Sequence, residues 1–209
     1  MLTLSQLTLF SLASIVLIFT PGPDIIYVVT RGMAQGRRAA LAATAGFALG
    51  NFVHTFFAVI GLSALIVSSA TAFAIVRYAG ALYLAWLGVR MIRSRSGLLP
   101  EGTAAGEMQC RSIFRQSIVA NVMNPKVALF FLAFFPQFLD RARGGVPLQM
   151  LALGTTFVIL TFFCFGVVAL GAGSIGSWLH QRSSLGDRIT RAAGCVLIGL
   201  GLRLAWPQR

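Results

Sequence analysis

The chain has 209 residues, of which 57% are hydrophobic and 11% charged, with a mean hydropathy of +0.83. A soluble domain carries about 25% charged residues, so a water-soluble globule is excluded and a membrane protein is expected. The net charge of +12 would suit a nucleic-acid partner only if the basic residues gathered on one folded face; they lie between apolar runs instead, and no nucleic acid is expected.

Six runs are long enough to cross a bilayer, for which about 20 helical residues suffice. The first, Leu7–Val29, is interrupted by Pro21-Gly22-Pro23-Asp24. It reads as a retained span rather than a removable leader, because no basic residue precedes it and Thr20-Pro21-Gly22-Pro23 stands where a small-residue cleavage site belongs. Proline lacks an amide hydrogen and crowds the preceding turn, so Pro21 and Pro23 around Gly22 should unwind nearly a turn of helix. Asp24 is the only acid inside any of the six runs. A carboxylate at depth costs ~2.5–3.5 kcal/mol, so Asp24 is expected to face the bundle interior as a candidate proton carrier; the bland alternative is an interfacial, solvated acid near Arg31.

In the second run, Ala39–Val67, Ala42, Gly46, Gly50 and His54 recur every four residues, a groove that lets another helix approach, with Asn51 beside it. His54 is a second candidate proton carrier, since histidine ordinarily titrates near neutral pH. Arg77 stands early in the third run, Thr71–Met91. It either snorkels to the interface or turns inward as a bidentate anchor for a carboxylate. A polar Gly/Ser-bearing stretch from Arg93 through Glu107 is the one expected linker. The fourth run, Ile113–Leu139, carries Asn124-Pro125-Lys126 at its centre. Lys126 lies too deep to snorkel easily, so it is expected to pair with Asp24 or to alternate between Asp24 and a substrate carboxylate. The fifth and sixth runs are Leu148–Trp178 and Ile189–Trp206. Phe134, Phe135, Trp86 and Trp178 read as lipid or interface anchors.

The arginines fix an expected orientation. Eleven lie in the first, third and fifth loops (31, 37 and 38; 90, 93, 95, 111 and 115; 182, 188 and 191), against five on the other side (77, 141, 143, 203 and 209). The odd loops are therefore expected in the cytoplasm and both termini outside. The expected fold is an all-α membrane protein of one domain, 1–209. Its six transmembrane helices form two three-helix halves, about 1–92 and 113–209, and helices 1 and 4 are broken. With three crossings per half a second copy of the unit enters from the opposite face, the inverted-repeat plan; a shift of 102 residues lays Pro23-Asp24 on Pro125-Lys126, two matched positions that leave an accidental symmetry open.

Broken spans that carry ionisable residues are tolerated where the freed backbone faces protein or a water-filled cavity. In a transporter such half-helix ends hold the charged ends of a zwitterion. Rival chemistries lack their residues. A thiol electron carrier needs a cysteine near each break, and Cys110, Cys164 and Cys195 lie elsewhere. Two histidines and scattered acids make no metal set, so neither metal nor cofactor is expected. A serine-lysine hydrolase needs a serine within reach of Lys126, but Ser117 is two to three turns away.

At these residues the chain resembles the lysine exporter (LysE/RhtB) family of bacterial amino-acid exporters over nearly its whole length. The matching pieces are Thr20-Pro21-Gly22-Pro23-Asp24, Gly36-Arg37-Arg38, and Gly46, Gly50 and His54. Further on come Gly80-Ala81-Leu82-Tyr83-Leu84 with Gly88, Asn121 through Asn124-Pro125-Lys126, Phe130-Phe131 and Pro136-Gln137-Phe138. The resemblance implies a multi-pass protein of the bacterial cytoplasmic (inner) membrane, not an enzyme, that exports amino acids or small derivatives by proton antiport. Many relatives carry an acid where Asn51 stands, a departure that moves the expected proton role to Asp24 or His54. The partners implied are an amino-acid-like substrate, protons and the lipid bilayer; self-association into a homo-oligomer stays open. The competing reading is a channel-like passive efflux pore for small zwitterionic solutes.

Overall fold

The structure, a computed structural model, describes residues 2–62, 70–93, 108–181 and 183–206. The expected linker therefore falls largely outside the described residues, as do the end of the second run, Arg95, Arg182, Arg209 and the side chains of Trp178 and His180.

Helix α1, Leu4–Phe19, begins earlier than hydropathy suggests because Thr3 caps it. The Thr3 hydroxyl oxygen accepts from the Gln6 amide at 3.2 Å while Gln6 Oε1 accepts from the Thr3 amide at 2.8 Å, two otherwise orphaned donors satisfied reciprocally. The Pro21–Gly22 break follows, and α2, Pro23–Gln35, restarts at an angle of 57° to α1. At about 1.5 Å per residue neither piece spans a ~30 Å hydrocarbon core alone. Gly36, at φ 79°, turns the chain into α3, Arg37–Phe57; that left-handed backbone is free of penalty only for glycine. A wider π turn, Ala58–Leu62, extends α3, and α4 covers Ala70–Arg93.

The second half repeats the theme. Helix α5, Cys110–Val122, stops before Asn124, and α6, Pro125–Leu129, restarts and runs into a π turn, Phe130–Phe134, and a 3-10 turn, Phe135–Phe138. This broken pair bends by 47°. Helices α7, Val146–Gln181, and α8, Ser183–Ala205, complete the chain. The described residues are all-helical, without strands. Three segments are long and apolar enough to cross a membrane (Arg37–Gly61, Ala74–Arg93 and Val146–Ala172), and five if each bent pair counts as one. Helix α8, which carries Asp187, Arg188, Arg191 and Arg203, corresponds to the sixth expected run and is not among them.

Helix α3 packs between α5 and α7, α2 lies against α3 and α7, and α4 pairs with α8. The small-residue groove on α3 receives α5: a Cβ added to Gly50 would lie 2.6 Å from Asn121 Oδ1. One expectation is overturned. Phe134 and Phe135 are fully buried, not lipid anchors. The wide turn at 130–134 folds their rings into a cluster with Phe10, Phe130, Phe131 and Phe157, whose centroids approach to 4.8–6.0 Å. Trp86, half exposed, keeps the anchor reading.

The α4–α8 contact turns on two glycines. A Cβ on Gly88 would sit 2.5 Å from the Gly194 carbonyl, and one on Gly194 would sit 2.6 Å from the Gly88 carbonyl. Gly88→Ala is expected to cost about 1–3 kcal/mol by overpacking, read as a lowered melting temperature of the detergent-purified protein. An unchanged melting temperature would mean that these helices do not touch.

Candidate functional site

Both breaks restart a helix with proline at its first position, where the missing amide hydrogen costs nothing. The caps differ. Gly22 offers no side chain, whereas the Asn124 Oδ1 accepts from the Lys126 amide at 3.0 Å. That cap orients the Asn124 amide group, whose Nδ2 is then free to donate to Asp24 Oδ1 across the gap between the halves. Asp24 lies in the first turn of α2, where the helix dipole favours an acid.

Lys126 lies in the first turn of α6, the wrong end of a helix for a cation. Its stem carries the ammonium to the C-terminal end of α1 instead, where Nζ donates to the Thr20 carbonyl at 3.2 Å and the Leu17 carbonyl at 3.5 Å. Asp24 Oδ2 is 4.0 Å away. Both charged residues are 4% exposed, so Asp24 is not the solvated interfacial acid that was the alternative.

Two further residues from the sequence reading join them. The Asn51 Nδ2 donates to the Thr161 hydroxyl at 3.0 Å, and that hydroxyl donates to the Phe157 carbonyl at 2.8 Å. Asn51 Oδ1 and Asn121 Oδ1 are both buried without a hydrogen-bond partner. Asp24, Asn51, Asn121, Lys126, Thr161 and Leu17 line one cavity, which leaves about 10 Å³ where the centre of a water-sized sphere can sit, room for about one water. His54 adjoins this set: its Nε2 donates to the Asn121 carbonyl at 3.1 Å, and its ring stacks on Phe131 at 5.5 Å.

Arg77 does not line the cavity. Its Nη2 donates to the hydroxyl of adjacent Tyr78 at 2.9 Å, and its guanidinium lies over that ring at 4.8 Å. Sequence reasoning missed Thr161 and the Leu17 and Thr20 carbonyls. A threonine in an apolar helix usually bonds back to its own backbone, and a carbonyl partner leaves no side-chain signal.

Residues 15–208 match the family model described as LysE type translocator. The chain belongs to that family. Membership makes it a translocator rather than an enzyme, and with the spans above it is a multi-pass membrane protein. It is 33% identical over 197 residues, 94% of each chain, to an uncharacterized membrane protein of Vibrio cholerae serotype O1. It is 31% identical over 189 residues, 90% of each chain, to a leucine efflux protein of an Enterobacter species, and 30% identical over 201 residues to one of Klebsiella pneumoniae, covering 95% of this chain and 94% of that one. No solved structure matches the chain.

Removing one partner of a buried ion pair costs about 3–5 kcal/mol because the other charge is left uncompensated. Asp24→Asn and Lys126→Ala are each expected to lower stability in this translocator, while the double variant is no less stable than the weaker single one, an interaction above ~1 kcal/mol. Strictly additive losses in thermal or denaturant unfolding would mean that the two groups do not sense each other.

Proposed function

We propose that this LysE-type translocator is a secondary transporter of the bacterial inner membrane that exports amino acids or their small derivatives from the cytoplasm by proton antiport with alternating access. The observation that carries the reading is the buried Asp24–Asn124–Lys126 contact, made where two helix breaks meet. A carrier of zwitterions needs opposite charges and free helix ends together at depth. The similarity to proteins named leucine efflux protein supports an amino acid with an apolar side chain as cargo.

The proposed architecture is six spans in two inverted halves. The equivalence of the breaks at a shift of 102 residues supports it, as does the pairing of α3 with α7 and α4 with α8, the elements such a repeat exchanges. The arginine asymmetry supports cytoplasmic odd loops and outward termini. In this scheme the passenger's carboxylate meets Lys126, its ammonium meets Asp24 and the α1 carbonyls, and a proton arriving from outside on Asp24 or His54 favours release and return. Moving one charge is worth ~2.3 kcal/mol per 100 mV, enough to drive export. A channel needs a continuous wet path lined by selectivity groups; the small size of the cavity beside the breaks, about 10 Å³, favours a carrier.

Leucine counterflow in proteoliposomes tests the class. Preloaded unlabelled leucine is expected to drive transient accumulation of labelled leucine, which a passive pore does not produce. Lys126→Ala is expected to abolish export with the protein still inserted. Asp24→Asn is expected to lose the response to a pH gradient while retaining exchange. Wild-type export after either change would remove that residue from the mechanism.

A further inference from the structure

We propose that the acceptors around Lys126 form a primary-ammonium site, held in the empty carrier by the chain's own lysine and taken over by the ammonium of the passenger. The geometry is that of a three-donor guest. An ammonium has three N–H donors and no acceptor, and Nζ faces three oxygens: Thr20 carbonyl at 3.2 Å, Leu17 carbonyl at 3.5 Å and Asp24 Oδ2 at 4.0 Å. Pro21 lacks the amide hydrogen that would bond the Leu17 carbonyl in a continuing helix, so that oxygen has only the 3.2 Å bond from the Thr20 amide and a lone pair to spare, and the break after Thr20 turns its own carbonyl toward Lys126.

Gly22 opens the approach. A Cβ there would lie 3.1 Å from Lys126 Nζ and 3.7 Å from its Cε, so any larger residue crowds the ammonium.

Two neutral polar side chains of the cavity add acceptors among its apolar walls. Asn51 and Asn121 are 0% and 2% exposed, and their Oδ1 atoms have no partner. The orientation of Asn51 is set by Thr161, whose hydroxyl is committed as donor to the Phe157 carbonyl and therefore receives the Asn51 Nδ2. These two oxygens thus offer acceptors to a donor-rich guest. With room for about one water, a guest ammonium fits only when Lys126 leaves.

Lys126 is the only lysine in the chain, and its flexible four-carbon stem makes it a tethered competitor. A group on so short a tether has an effective concentration on the order of millimolar or more, which screens out weak amines. An amino acid overcomes the competitor because its carboxylate gives the displaced lysine a new partner, so no buried charge is left alone. The passenger class is therefore zwitterions with a free primary ammonium. This last step rests on the export reading; the ammonium site itself does not.

The test uses the purified full chain with methylammonium as probe, followed by calorimetry or ligand-induced thermal shift. Lys126→Ala and Lys126→Met both vacate the ammonium position, and each folded variant is expected to bind methylammonium at least tenfold more tightly than wild type. Tetramethylammonium, which has no N–H, is expected to gain nothing. No gain for methylammonium, or an equal gain for tetramethylammonium, overturns the site. In wild-type vesicles leucine is expected to be exported and N-acetylleucine not, an arm that stands if neither variant folds. Export of both overturns the ammonium requirement and leaves the export reading intact, whereas a methylammonium gain in a protein that moves no amino acid keeps the site and sinks the export reading.

Discussion

The need to satisfy the carbonyls at the end of α1 governs this structure. In a bilayer a broken helix meets water only where it lines a cavity, and each unmet backbone group costs several kcal/mol, as an order of magnitude. The first half of the chain meets that demand only in part, because the Thr20 amide bonds the Val16 and Leu17 carbonyls but Pro21 and Pro23 bring no amide hydrogens and the Thr20 carbonyl needs another donor. The donor comes from the second half, as Lys126 Nζ. The second half needs a partner for Asn124, and the acceptor comes from the first, as Asp24. Each break is completed by the other, so the halves are braced at the point where each is weakest. A buried ion pair is poor evidence for stability, since well-packed apolar residues often do as well or better. Under the proposed export its presence fits a role beyond bracing the halves.

Packing around the brace is close but not uniform. The phenylalanine cluster and the α4–α8 glycine contact are tight, with rings and backbones at van der Waals distance. At the joints between α1 and α2 and between α5 and α6, Pro21, Pro23 and Pro125 interrupt the helical hydrogen-bond ladder, so under the proposed alternating access these are the places where a few residues would absorb backbone rotation. The phenylalanines adjoin one joint directly: the π turn at 130–134 follows α6 and presents Phe131 to His54. A movement of α6 that withdraws Lys126 from α1 therefore also shifts the surface against which His54 is stacked.

The sequence disclosed the breaks, because proline, glycine and a charge in an apolar run have few physical explanations. The Asn124 cap has a signal of its own that the reading of this stretch as a break left unused, since asparagine before proline favours a helix start. The burial of Phe134 and Phe135 was illegible for the converse reason. A span that is apolar on every side has no polar face to show which residues point inward, and the π turn at 130–134 changes the angular spacing on which such a reading depends. The destination of Lys126 was half legible. Asp24 was foreseen as its partner, but the shorter contacts are to backbone carbonyls, which every residue possesses and none advertises. The early start of α1 was legible after all in Thr3-Leu4-Ser5-Gln6, a capping box that hydropathy alone passes over.

Asn51 shows how one neutral side chain shapes the charge balance of the cavity. An acid in its place, as the family resemblance implies for many relatives, would present only acceptors to Thr161, whose hydroxyl already donates to the Phe157 carbonyl; it would also add a negative charge beside Asp24. With the amide, Nδ2 satisfies Thr161 and the cavity holds one carboxylate and one ammonium. Under the proposed export a zwitterion would then enter a neutral site as a neutral guest and exchange partners without a change in net buried charge, which avoids the desolvation penalty of an unpaired ion. Under the proposed antiport, a coupling proton becomes the only unbalanced charge the site has to accept. Within this cluster the titratable groups positioned to take it are Asp24 and the neighbouring His54, so the amide at position 51 narrows the coupling chemistry to the acid that also holds the lysine and to the histidine one hydrogen bond from Asn121.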